Sequence, residues 1–325
     1  MLNKVTFDVK IVWIVLISYL VCTFPLIEYI KEPNILKDVK QNILNVGYSY
    51  YNLVHKNSLN GIFDYFKNEW LWAYLTVYLS EISGSPALIF TIIGGFNFFI
   101  YSYFCYKKSN FKVIFLLLIP IQIVFLIYQP RLSFGCSLWF LGMLTTKKRN
   151  RNILLFLSLM IHNAMFVIIG SYFVLERILK MKGHNLDVNK KIALSACFSL
   201  VVNFIVGPLI NTFTTLLGKQ REGYGEETLS SSFASCFFWG IISFFLMIDY
   251  SREATVEKRY HLFAIFFTLF PVFSYLLASG YPYRFLTVGM PFVLVSIIKS
   301  DSIWKNLMLA MYLIFFVFTS YNFYI

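Results

Sequence analysis

The sequence predicts an all-α polytopic membrane protein, with about nine to eleven transmembrane helices in a single integral membrane domain covering 1–325. Three observations lead there. Of the 325 residues, 58% are hydrophobic and only 14% are charged, and the mean hydropathy is +0.67. A soluble domain carries about 25% charged and roughly 45–50% apolar residues. The apolar residues also gather in runs suited to a hydrocarbon core of about 30 Å. Finally, the chain holds 36 Phe and 22 Tyr, more aromatic surface than one soluble core would enclose.

The first apolar run, 9–27, is too long for a signal-peptide core and lacks a following small-residue cleavage site, so it reads as an uncleaved anchor. A polar outer linker of mixed charge, 28–68, comes next. Residues 69–82 are rich in Trp and Tyr but rise only ~21 Å, too little to span. Ser83-Gly84-Ser85-Pro86 breaks this stretch, and its aromatic content suits a helix lying in the membrane interface. Runs 87–106, 113–128 and 132–145 read as spans. Run 153–175 is interrupted by His162-Asn163, which leaves halves of roughly 16 and 20 Å. It therefore reads as a broken or re-entrant pair whose freed backbone groups must be met by protein or water. Runs 192–206, 233–248, 262–278, 285–298 and 303–323 complete the set, with a second outer loop at 207–232.

Lys and Arg counts set the orientation. With the N-terminus inside and 153–175 re-entrant, 19 basic residues lie inside and 9 outside. If that run crosses once, 12 lie inside and 16 outside, against the positive-inside rule. The first arrangement puts Arg131, Arg221 and Arg284 on the outer side, with Glu69. It also accounts for the net charge of +12 without nucleic acid, because the cations cluster between apolar runs. The five cysteines fall inside apolar stretches, in odd number, and predict packing residues rather than disulfides or a zinc site.

Candidate chemistry is concentrated at the outer ends of the runs. Gln129-Pro130-Arg131 closes one run and opens the next, and Tyr283-Arg284-Phe285 opens another. A guanidinium there is costly unless it pairs or snorkels. Arg is suited to two-pronged contact with phosphate, so Arg131, Arg284 and Arg221 are candidate diphosphate ligands, with interfacial anchoring as the plainer alternative. His162, at the helix break, and Glu69, at the head of the aromatic helix, are the candidate proton carriers. Each also has a structural reading, as a packed imidazole and as a helix N-terminal charge. Tyr48, Tyr51 and Trp70 could stack on sugar rings or belong to an interfacial belt. No nucleotide-binding loop, nucleophile elbow or metal-ligand spacing occurs, so no cofactor and no metal are expected, which suits an already activated donor.

These stretches together resemble the EpsG-like branch of the Wzy polysaccharide polymerases. The resemblance is carried by Val46-Gly47-Tyr48-Ser49-Tyr50-Tyr51, Glu69 before a hydrophobic helix, Pro130-Arg131, Lys147-Lys148-Arg149, Ile161-His162-Asn163-Ala164 and Tyr283-Arg284-Phe285. Arg131 to Gly142 also fits an Arg-x10-Gly pattern of some Wzy proteins. The family usually has an acidic residue in the first-linker motif, where this chain has Tyr48-Ser49. The resemblance implies a GT-C-like glycosyltransferase in the bacterial inner membrane, acting on the outer face. It would join repeat units linked to undecaprenyl diphosphate, alongside a flippase and a chain-length regulator. A glycan-modifying acyltransferase, an O-antigen ligase and a polysaccharide transporter remain alternatives.

Overall fold

The computed structural model describes residues 8–23, 69–181, 187–209, 231–252, 258–278 and 281–324. Among them there is no strand. Thirteen α-helices follow in order: α1 Val9–Thr23, α2 Trp70–Ser83, α3 Pro86–Lys108, α4 Val113–Leu116, α5 Pro120–Tyr128, α6 Pro130–Leu144, α7 Lys148–Ile161, α8 Ala164–Lys180, α9 Val188–Phe204, α10 Phe233–Arg252, α11 Lys258–Leu276, α12 Pro282–Lys299 and α13 Trp304–Tyr324. A π-helical turn, Ile205–Leu209, extends α9. Tyr48, Tyr51, Arg221 and the greater part of both outer loops lie outside the described residues.

The all-α membrane class expected from the sequence is observed. By length and composition six of the described helices can each cross a membrane, or seven spans result if the bent α5–α6 pair is counted as one. Several of the apolar runs are divided in the structure. Run 113–128 breaks at Pro120, and a bend of 97° separates α5 from α6 at Gln129. The break expected at His162-Asn163 is present between α7 and α8, with His162 extended at φ −152° and ψ 131°. Val9–Thr23 is apolar, and the rest of run 9–27 lies outside the described residues.

The chain packs as two compact units, 1–169 with 316–325, and 170–315. In the first unit α3 is the hub, packed on α1, α2, α5 and α6. Tyr106 at its C-terminal end donates a hydrogen bond of 2.6 Å to Asp8, and the Lys107 ammonium sits over the Tyr103 and Tyr106 rings. This ties the start of α1 to the end of α3. Helix α2 is two-faced. Trp72 and Val77 are buried against Ile89, Phe90, Ile93 and Ile161, while Tyr74 and Tyr78 stack on each other on the exposed face.

In the second unit α11 and α12 form the core, and α10 and α9 pack on α11. The α9–α11 seam is polar at regular spacing. The Ser199 hydroxyl donates to the Phe266 carbonyl at 2.9 Å and the Asn203 amide to the Phe270 carbonyl at 3.0 Å, with Ser195 and Leu262 one turn earlier at 3.4 Å. Small polar residues let membrane helices approach closely and bond across the seam, since lipid supplies no hydrophobic drive between helices. The α11–α12 contact depends on Gly289. A Cβ there would lie 2.1 Å from the Phe267 ring, which is itself stacked parallel to Phe292 at 6.0 Å. The ring cannot swing aside without disturbing that stack. Gly289→Ala is therefore expected to destabilise the protein by about 1–3 kcal/mol, seen as a lower thermal midpoint in detergent; an unchanged midpoint would show that the two helices can separate freely.

Candidate functional site

Three of the residues singled out in the sequence meet in the first unit. Glu69 precedes α2 and adopts a left-handed backbone, φ 50° and ψ 42°. That conformation costs a residue with a side chain roughly 1–2 kcal/mol and is common where a site holds its backbone under strain. Its carboxylate does not cap its own helix. Instead Oε2 accepts a hydrogen bond from Arg131 Nη1 at 2.8 Å. Oε1 lies 2.5 Å from His162 Nδ1 and accepts from the Asn163 backbone N–H at 3.1 Å.

Each partner is delivered by a break in a helix. Pro130 opens α6, so Arg131 is held in that helix's first turn, just after the 97° bend. His162 and Asn163 form the interruption between α7 and α8. The N-terminal ends of α2, α6 and α8 thus gather on one carboxylate. Helix N-termini favour negative charge, and a cation in a first turn is disfavoured by the same dipole. Arg131 is therefore stabilised there by Glu69 and by any further anion that arrives. The site is partly open: side-chain exposure is 44% for Arg131, 23% for His162 and 12% for Glu69.

Burial by itself would raise the Glu69 pKa. The hydrogen bond and charge of His162, the Arg131 guanidinium and the Asn163 N–H outweigh it and bring the carboxyl down to about 2. Glu69 is consequently an anion throughout the physiological range, a weak proton acceptor and a strong orienting group. A lowered carboxylate pKa stabilises the fold above its ordinary value of 4.5 and loses that contribution as pH falls toward 2. Acid titration of the purified protein should therefore show a loss of a few kcal/mol across that window that is missing from Glu69→Gln; the same loss in both would deny the pairing.

Arg284 lies in the second unit, in the first turn of α12 after Pro282, with its guanidinium 5.1 Å from the Tyr281 ring centre. It shares with Arg131 the placement behind a helix-opening proline. Trp70 is half-buried at the start of α2, edge-on to Tyr74.

Two polar clusters were not expected from the sequence, and both lie in the second unit. Arg259 holds Glu176 through Nε at 2.5 Å and Nη2 at 3.2 Å. Asp249 and His261, both fully buried, meet at 3.0 Å. The signal available was an acid closing run 233–248 and a His opening run 262–278. Among the described residues no three His, Cys, Asp or Glu side chains form a metal-ligand group, and the five cysteines are free thiols.

The family model described as EpsG family matches the chain over residues 44–325. No curated protein and no solved structure matches the chain. The matched stretch contains all three helix N-termini at the site, and the chain belongs to the EpsG family, a Wzy-like family of polysaccharide polymerases.

Proposed function

We propose that the chain is the glycosyltransferase that joins oligosaccharide repeat units carried on undecaprenyl diphosphate. The observation that carries this reading is the Glu69–Arg131–His162 cluster: a half-exposed guanidinium and an imidazole held on the two oxygens of one partly buried carboxylate. Family membership supplies the reaction class.

In this reading Arg131 binds the donor's diphosphate, and Arg284 and Arg221 are each proposed as phosphate ligands in their own right. The acceptor is the non-reducing end of another lipid-linked repeat unit. Its hydroxyl oxygen attacks the anomeric carbon of the donor glycan and forms the new glycosidic bond. The anomeric C–O bond to the diphosphate breaks and its electron pair leaves with the phosphate oxygen. His162, its Nδ1 turned to Glu69, takes the acceptor proton at Nε2. This is the carboxylate–imidazole arrangement that orients the ring and fixes its tautomer. Negative charge accumulates on the leaving diphosphate, where fixed cationic donors in a water-poor site are most effective. No step draws on a nucleotide or a metal. Tyr48, Tyr51 and Trp70 are the proposed sugar contacts.

The distribution of Lys and Arg supports an N-terminus in the cytoplasm and a reaction on the outer face of the bacterial inner membrane. A flippase delivering the repeat units and a chain-length regulator are the proposed partners.

A gel of surface polysaccharide from a strain lacking the gene, with the restored gene as control, tests the reading. A ladder collapsing to one repeat unit is expected. An unchanged ladder with altered decoration would make the protein an acyltransferase. Loss of even the single unit from the cell surface would make it a transporter.

A further inference from the structure

Asn97 lies in the middle of α3, in the run Gly95-Phe96-Asn97-Phe98, and is fully buried. A buried amide in a membrane helix is unfavourable unless its hydrogen-bonding groups are met. Here they are met across two other helices. Nδ2 donates to the Leu126 carbonyl at 3.2 Å and to Ser133 Oγ at 2.8 Å, while Oδ1 accepts from Ser137 Oγ at 2.9 Å. Ser133 Oγ in turn lies 3.1 Å from the Leu126 carbonyl and 2.9 Å from that of Gln129.

The choice of Leu126 has a covalent cause. In a continuous helix its carbonyl would accept from the N–H four residues on. That residue is Pro130, which has no N–H. The 97° bend between α5 and α6 sits at this point, and a freed carbonyl in a dry interior needs another donor. Asn97 and Ser133 stand at that carbonyl. Ser133 is two residues beyond Arg131, within the same opening turns of α6.

We propose that Asn97, with Ser133 and Ser137, is the positioning device for Arg131. It stabilises the proline bend and so fixes the direction in which α6 presents the guanidinium to Glu69 and to the donor phosphates. This rests on the reading of Arg131 as a phosphate ligand. The stabilisation comes through α3 and uses none of the guanidinium's donors, of which Nη1 goes to Glu69.

The test is epistasis in the full-length protein, read as polymer ladder per inserted protein in the deletion strain. Asn97→Leu removes both donors at similar size, and Ser133→Ala removes one donor with little risk to insertion. Each is combined with Arg131→Lys, which keeps the charge and loses the fork. We expect Asn97→Leu to lower polymerisation on the order of 10²-fold, the scale of a small misplacement of a catalytic group, with Ser133→Ala lower by less. Neither should add to the defect of Arg131→Lys, because residues acting through one group are non-additive. Full activity in both Asn97→Leu and Ser133→Ala, with Arg131→Ala inactive, would overturn the positioning role and leave the polymerase reading standing. Losses that multiply with that of Arg131→Lys would also overturn it and make Asn97 a packing residue. Full activity in Arg131→Ala would remove the phosphate reading and this inference with it.

Discussion

Replacing Arg131 by Ala is expected to abolish polymer while the protein still inserts in the membrane. The guanidinium has two tasks here, and no neighbouring group in the cluster can take over either. It neutralises Glu69 through Nη1 at 2.8 Å, and it remains nearly half exposed, so the rest of its planar fork can face a ligand. Loss of one fixed donor to developing negative charge commonly costs 10²–10³-fold, about 3–4 kcal/mol in the barrier. Arg131→Lys keeps the charge but offers a point cation in place of a two-pronged donor. It should retain a small part of the activity, with a shortened ladder. Equal polymer from wild type and Arg131→Ala, at equal amounts in the membrane, would take the guanidinium out of the mechanism.

The second large effect is expected at Glu69. Glu69→Gln preserves size but removes the charge that holds Arg131 and His162 together. A carboxamide can accept from one of them and not serve all three partners of the carboxylate. His162 would lose the anion that fixes its ring, and Arg131 would sit at a helix N-terminus with its charge uncompensated. We expect polymerisation to fall on the order of 10²-fold or more, since the proposed catalytic groups would keep their identity but lose their alignment. Glu69→Asp should recover only part of it, the arm being one methylene shorter. If Glu69 acted as the base itself, activity would follow a carboxylate titration near neutral pH. With its pKa held at about 2, no such step is expected above pH 4 or so. A rate that rose through the carboxylate range and vanished in Glu69→Gln would reassign the proton transfer to it.

The parts of this account legible in the sequence are those written in local chemistry. Proline next to arginine marked a helix opening with a cation in its first turn. His162-Asn163 marked a polar interruption in an apolar run. Their meeting was not legible, because it joins positions 62 and 94 residues apart along the chain. Nothing in periodicity reports which helix ends share a corner. The left-handed backbone at Glu69 is likewise imposed by tertiary structure, since Glu has no intrinsic preference for it. Asn97 was overlooked because a lone amide among Phe residues does not alter a hydropathy run. A closer sequence signal existed. Pro130 strips Leu126 of its donor, and Ser133 and Ser137 stand one turn apart on the helix that follows. The divisions within the apolar runs are hidden for a similar reason: hydropathy counts apolar length, while Pro120 and the Gln129-Pro130 bend divide it.

The central claim is that this chain lengthens a lipid-linked glycan at the Glu69–Arg131–His162 cluster. Its most direct test is the purified full-length protein in vesicles, supplied with undecaprenyl-diphosphate-linked repeat units alone. The account predicts longer lipid-linked glycans and one undecaprenyl diphosphate released per bond formed, with both lost in Arg131→Ala. Repeat units moved across the vesicle or chemically decorated, with no lengthening by the wild-type protein, would contradict it.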